Sequence, residues 1–131
     1  MIHSRTKPGA LTTNSMLLKP HEYATLNVLL AAGHDIELLR PSQTKYVKTG
    51  DLWMMGLVWE MKSPTGKSRS TMEHVFQKAA HQAHNIIVDL RRTKIPDSVA
   101  IISLEKIFNA SRSVRNLWII TKQAEIIKKK K

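Results

Sequence analysis

Two short apolar runs, Leu52–Met55 and Leu57–Lys62, sit on either side of Gly56. A lone glycine between strand-like runs marks a tight turn, and a tight turn makes the runs antiparallel neighbours. Along a strand, alternate side chains share a face. Glu60 and Lys62 therefore point one way, and Trp59 and Met61 the other. Asp51 stands at the start of the first run, so the turn carries the second run back beside it. Two carboxylates and an amine then converge at one end of a hairpin otherwise built for burial.

The rest of the chain reads as alternating elements around this hairpin. Residues 1–15 are polar and basic, carry Pro8 and Gly9, and show no periodicity. They predict a flexible basic N-terminal arm, with 16–131 as a single domain. Pro20 suits a first helical turn; Tyr23, Leu26, Leu29 and Leu30 give the spacing of one buried face, and Gly33 the stop. Ile36–Leu39 reads as a short strand, and residues 41–50 as a polar loop. Ser70 and Glu73 match a capping box, predicting a helix to about Asn85 with Met72, Val75, Phe76, Ala79 and Ala83 on one face. Ile86–Leu90 is compact enough for a buried strand. Pro96 opens a helix to about Ala110 that holds Val99, Ile102, Ile107 and Phe108. Leu117–Ile120 reads as a strand, with Glu125–Lys128 as a basic edge strand beside it. This order predicts an α/β fold, a mixed central β-sheet flanked by helices.

Composition narrows what such a domain can do. The 131 residues carry 21 Lys plus Arg against 10 Asp plus Glu, a formal charge of +11. At 42% hydrophobic residues there is material for one core. Excess positive charge on a folded domain favours polyanions. The absence of Cys excludes a disulfide scaffold, a thiolate zinc site and a thiol nucleophile. No apolar run approaches bilayer-spanning length, so no membrane insertion is expected, and no signal peptide is apparent. His81 and His84 lack the H-E-x-x-H pattern of a zinc helix. Gly66-Lys67-Ser68 resembles the end of a Walker A loop, but Met61 occupies the position of its first glycine, which rejects a triphosphate-binding loop.

The hairpin residues suit metal-assisted phosphodiester cleavage. Asp51 and Glu60 offer hard oxygen ligands to Mg²⁺ or another divalent cation. Lys62 is a compact charge able to position a water or stabilise a charged phosphorane. The bland reading of the same triplet is an ion pair on a solvated sheet face. Lys67 and Arg69, just before a helix, are candidate phosphate contacts, or simply an exposed basic turn. Gln82 falls at the border of the apolar helix face, where it can look toward the site. Tyr46, in the polar loop, is the candidate platform for a splayed RNA base, whereas Trp53, Trp59 and Trp118 are expected in the core.

Asp51, a strand, a turn and Trp59-Glu60-Met61-Lys62 resemble the core motif of the PD-(D/E)xK nuclease superfamily, with Gly50 where that motif usually has Pro. The continuation Lys62-Ser63-Pro64-Thr65-Gly66 narrows the resemblance, as do His81-Gln82-Ala83-His84-Asn85 with Ile86-Ile87-Val88-Asp89-Leu90, and the segment Leu26 to Leu39. Together they resemble the C-terminal tRNase toxin domain of contact-dependent growth inhibition (CDI) proteins, over about residues 17–128. The resemblance implies a restriction-endonuclease-like core and metal-dependent hydrolysis of tRNA, with Mg²⁺ on Asp51 and Glu60. It also implies a cognate immunity protein, expected to be acidic to match this basic surface, and delivery as the end of a larger polypeptide into a target-cell cytoplasm. The superfamily often has an acidic residue on the first helix near the metal, and Glu22 holds that position; a carboxylate in a first helical turn is also favoured by the helix dipole. A DNA endonuclease of the same superfamily and a non-catalytic nucleic-acid-binding module stand as alternatives, since no residue separates RNA from DNA.

Overall fold

Met55 and Gly56 both take positive φ, 57° and 74°, the conformation of a two-residue hairpin turn whose twist matches that of the strands it joins. The computed structural model describes residues 7–40 and 50–131. The polar loop before Gly50, with Tyr46, lies outside the described residues. In chain order the elements are β1 (Leu11–Thr12), α1 (Pro20–Ala31), β2 (Ile36–Leu38), β3 (Leu52–Met54) and β4 (Leu57–Lys62). They continue with α2 (Thr71–Ala80), β5 (Asn85–Asp89), α3 (Asp97–Ala110), β6 (Asn116–Ile120) and β7 (Ile126–Lys130).

The strands form one seven-stranded sheet in sequence order. It is mixed: β1–β2, β4–β5 and β5–β6 are parallel, and the other neighbours antiparallel. Parallel neighbours need a crossover, supplied here by α1, α2 and α3. Strand side chains sort by period two onto two cores. Ile86, Val88, Leu117 and Ile119 join Met72, Phe76, Ala79, Ala100, Leu104 and Phe108 of α2 and α3. Ile87, Trp118, Ile120, Trp59 and Met61 pack with Leu26 and Leu29 of α1. The predicted α/β architecture is the observed one, and a sheet covered on both faces follows from strands apolar on both sides.

Several local expectations change. Lys7–Ser15 are docked rather than a free arm: Gly9 N–H donates to Leu30 O at 2.8 Å, Ile36 N–H to Ala10 O at 2.9 Å, and Ala10 N–H to Asp35 Oδ1 at 2.8 Å. The edge of β2 is otherwise bare, and β1 covers it. The domain therefore starts before residue 16; residues 1–6 are outside the described set. The capping box at Ser70 does not form. Ser70 is in the αR region with no side-chain cap, and Ser68 N–H donates to Thr71 Oγ1 at 3.1 Å instead. Helix α2 stops at Ala80, because Asn85 belongs to the sheet, its side-chain amide donating to Val58 O at 3.0 Å. Trp53 is 45% exposed, not core, since it alternates with the buried Leu52 and Met54. The closing lysines belong to β7; Lys128 Nζ sits 4.5 Å above the Trp118 ring.

Candidate functional site

In the hairpin register Leu52 pairs with Trp59. One step further, Asp51 comes opposite Glu60. Asp51 N–H donates to Trp59 O at 2.8 Å, and Leu39 N–H donates to Asp51 O at 2.9 Å, so the residue is pinned from both neighbouring strands. Its side-chain Oδ2 accepts the Met61 N–H at 3.0 Å. Glu60 is 5% exposed, and its Oε2 lies 3.1 Å from Lys62 Nζ. Gly50, just before Asp51, makes this close approach possible: a Cβ there would meet Val58 Cγ1 at 2.5 Å and Trp59 O at 2.7 Å. Any side chain, proline included, lacks that space.

These residues line a cleft of about 230 Å³. Asp51, Glu60, Lys62 and Ser63 come from the hairpin side, and His21, Glu22 and Thr25 from α1. Burial, and next the negative charge of Asp51, push the Glu60 carboxyl up to about 7, against the pull of Lys62. Burial also raises Asp51 above the ordinary carboxylate value, opposed chiefly by the Met61 hydrogen bond. With no cation bound, a Glu60 O–H donating to the Asp51 carboxylate is favoured below about pH 7. Two carboxylates forced together in a half-dry cleft are the donor set that a divalent cation relieves. Among the described residues no cluster of three or more His, Asp or Glu is arranged to hold a metal ion. A Mg²⁺ ion fits the remaining chemistry, since it binds through one or two carboxylates and takes waters and substrate phosphate oxygens for the rest.

Glu22 lines the cleft, yet one of its oxygens, Oε1, accepts the Lys19 N–H at 2.9 Å, closing the first turn of α1. Its charge still reaches Asp51 and helps raise it. Helix α1 is held in place from below by Asp89. Thr25 Oγ1 donates to Asp89 Oδ2 at 2.6 Å, Arg91 Nη2 donates to the same oxygen at 2.8 Å, and Arg91 Nη2 also reaches Ala24 O at 2.8 Å. Burial alone would raise Asp89, but the hydrogen bonds from Arg91 and Thr25 hold it below its ordinary value.

The structure therefore brings Asp51, Glu60, Lys62 and Glu22 together. Lys67 and Arg69 lie instead on a neighbouring cleft. Gln82 does not line the site: it is exposed, in the turn between α2 and β5, and is not among the residues of this cleft. The missed residues are His21, Thr25, Ser63 and the Asp89–Arg91 pair. Thr25 carried a signal, standing three residues after Glu22 and so on its helix face.

A family model described as "Contact-dependent growth inhibition CdiA C-terminal domain" matches residues 48–126, the stretch that holds Asp51, Glu60 and Lys62. A search of the curated proteins finds no match. Among solved structures, a chain of the "CdiA-CT/CdiI toxin and immunity complex from Burkholderia pseudomallei" superposes with a TM-score of 0.67 at 18% identity, covering 94% of this chain and 100% of that one. At that identity the likeness is one of fold. No helix among the described residues is long and apolar enough to cross a membrane.

Proposed function

The chain belongs to the CdiA C-terminal domain family of contact-dependent growth inhibition, and on that premise we propose that it is a toxin domain, delivered into target cells, that hydrolyses tRNA phosphodiester bonds with a divalent cation. The observation that carries this reading is the buried apposition of Asp51 and Glu60 with Lys62 at 3.1 Å, on a domain of charge +11. The arrangement agrees with a PD-(D/E)xK type of nuclease core.

The chain's own residues divide the work. Asp51, fixed through Oδ2 by Met61 N–H, offers its carboxylate to a cation once Glu60 has lost its proton. Glu60 presents a second carboxylate that must lose its proton first, because burial and Asp51 hold it near 7. A bound Mg²⁺ would polarise the phosphoryl oxygen and acidify a water. Lys62, about a third exposed and tethered to Glu60, can reach into the cleft, orient a water and offset charge building on the phosphate. Glu22 sits across the cleft and raises its negative field, which favours cation binding. Lys67 and Arg69 add positive charge beside the loop that leaves the site, for the nucleic-acid backbone.

The partners follow from the same reading. The Burkholderia pseudomallei fold relative is a toxin with its immunity protein, which supports a cognate immunity protein here. An acidic one would match the basic surface. Purified protein incubated with total tRNA and with plasmid DNA, each with Mg²⁺ or EDTA, tests the proposal. Cleavage of tRNA only with Mg²⁺ is the expected result. Cleavage of plasmid alone would move the reading to a DNA endonuclease. Binding of tRNA without cleavage of either would make the domain a nucleic-acid-binding module. That binding should weaken at least about tenfold between about 50 and 200 mM salt.

A further inference from the structure

A second cleft, of about 490 Å³, opens beside the first turns of α2 and α3. Lys67, Arg69 and Lys94 stand on its rim, and Met72, Ile95 and Val99 are among the apolar residues of its floor. No carboxylate among the described residues lines it. Among the described residues none of the three cations is ion-paired with an acid. Val99 is 54% exposed, an apolar side chain left open to solvent where its helix neighbours Ala100 and Leu104 are buried.

The cleft is built, not loose. The hydroxyl of buried Thr93 donates to Gly66 O at 2.6 Å and accepts the Ile95 N–H at 3.2 Å. One side chain thus joins the loop bearing Lys67 and Arg69 to the loop bearing Lys94. The same loop leads back to the carboxylate cleft: Ser63 lines that cleft, and Arg92 Nη1 donates to Ser63 O at 3.2 Å. The two clefts share no lining residue, yet a polyanion leaving the first past Ser63 meets Arg92 and then the rim of the second.

Unpaired cations above an apolar floor match a ligand with an anionic edge and a flat apolar body. The volume falls within the roughly 300–1,000 Å³ of small-ligand pockets. We propose that this cleft is a nucleotide pocket, which takes one unstacked nucleotide of the RNA at a position away from the cut bond, phosphate on Lys67, Arg69 and Lys94 and base on Met72, Ile95 and Val99. Single-stranded RNA is recognised through bases splayed out in this way. The source of the nucleotide rests on the nuclease reading above; the pocket itself rests on its own residues.

The test uses backbone amide NMR of the wild-type protein in EDTA, titrated with uridine 5′-monophosphate and adenosine 5′-monophosphate, and separately with inorganic phosphate and with uridine. Ser68, Lys94 and Ala100 amides should shift with the nucleotides, with affinity at least about tenfold above that for phosphate or uridine. Lys94→Glu and Val99→Asp, both at exposed positions, should each lower tRNA affinity in EDTA by about tenfold. Nucleotide binding here by a wild type that cleaves no RNA would support the pocket and remove the nuclease reading. Shifts confined to Lys62 and Ser63, or none, would overturn the pocket. So would variants that bind tRNA like wild type but lose an immunity protein, because the cleft would then be a protein interface.

Discussion

The side chain of Asp51 accepts the main-chain N–H of Met61 at 3.0 Å, across the hairpin from its own strand. The bond aims the carboxylate at Glu60 and prevents it from turning away to water. The like-charge conflict at this site is therefore imposed by backbone geometry, and the stability and activity of the protein should both register it.

Asp51→Asn keeps an acceptor for the Met61 N–H and removes the charge. The protein should stay folded, lose cleavage by at least about 10²-fold, and bind Mg²⁺ more weakly. Lys62→Ala should lose cleavage to a similar degree while retaining Mg²⁺ binding. Calorimetric Mg²⁺ titration beside a cleavage assay separates the two. Asp51→Ala combined with Glu60→Ala should cost little more activity than either alone. Wild-type cleavage in these variants, with lowered thermal stability, would make the cluster a structural ion pair.

The raised carboxyl of Glu60 gives a signed dependence on pH. Between its ordinary value of 4.5 and about 7, the folded protein holds a proton that the unfolded chain has lost. Stability therefore falls as pH rises through that window. Asp89 acts oppositely: its value is lowered in the fold, so its contribution is present above 3.8 and disappears as pH falls through the folded value. In EDTA the melting temperature should decline from about pH 5 to pH 7.5. Glu60→Gln should flatten that decline and melt higher than wild type at pH 7.5. A wild-type curve flat across this range would contradict the burial and charge assignment.

Gly50→Ala should destabilise the protein by about 1–3 kcal/mol, since its Cβ would meet the Val58 side chain at 2.5 Å and also the Trp59 main-chain oxygen at 2.7 Å, which cannot yield as a side chain can. Gly56→Ala differs in cause: nothing lies within 4 Å of the added Cβ, and the cost is the positive φ of 74°, about 1 kcal/mol. Urea unfolding should rank Gly50→Ala as the more damaging. The reverse order would mean that β3 and β4 can separate at Gly50 without penalty.

Asp89→Ala leaves the Arg91 guanidinium and the Thr25 hydroxyl without their shared partner. A loss of about 1–3 kcal/mol is expected, since Arg91 is partly exposed and keeps its bond to Ala24 O, which tempers the cost of leaving its charge unpaired. Double replacement of Asp89 and Arg91 by apolar residues should recover much of that stability but leave α1 less firmly placed. Hydrogen exchange at His21–Thr25 measures the placement. Unchanged exchange there would show that the pair does not secure the helix.

The hairpin, the order of the elements from α1 onward, and the convergence of Asp51, Glu60 and Lys62 were legible because each depends on neighbours in sequence. A period-two pattern and a two-residue turn set which side chains share a face, and the intervening loop hardly matters. Helix ends were less legible. Ser70 and Glu73 offered a local cap, but the end of α2 was decided by Asn85 bonding to β4 and β6. The position of Gln82 follows from the same cause: with α2 ending at Ala80 it lies in the turn that leads to Asn85, not on a helix face.

What the sequence alone determined was the carboxylate pair and its lysine, together with a mixed sheet to carry them. Only the tertiary structure decided what closes the site: residues 10–12 join the sheet edge, Thr93 sets the second cleft, and Asp89 anchors α1 so that Glu22 and Thr25 face the hairpin. The Thr25–Asp89 bond spans 64 positions. Such contacts leave no periodic trace, since their partners are brought together by the packing of whole elements onto a common sheet and not by the spacing of side chains along any one of them.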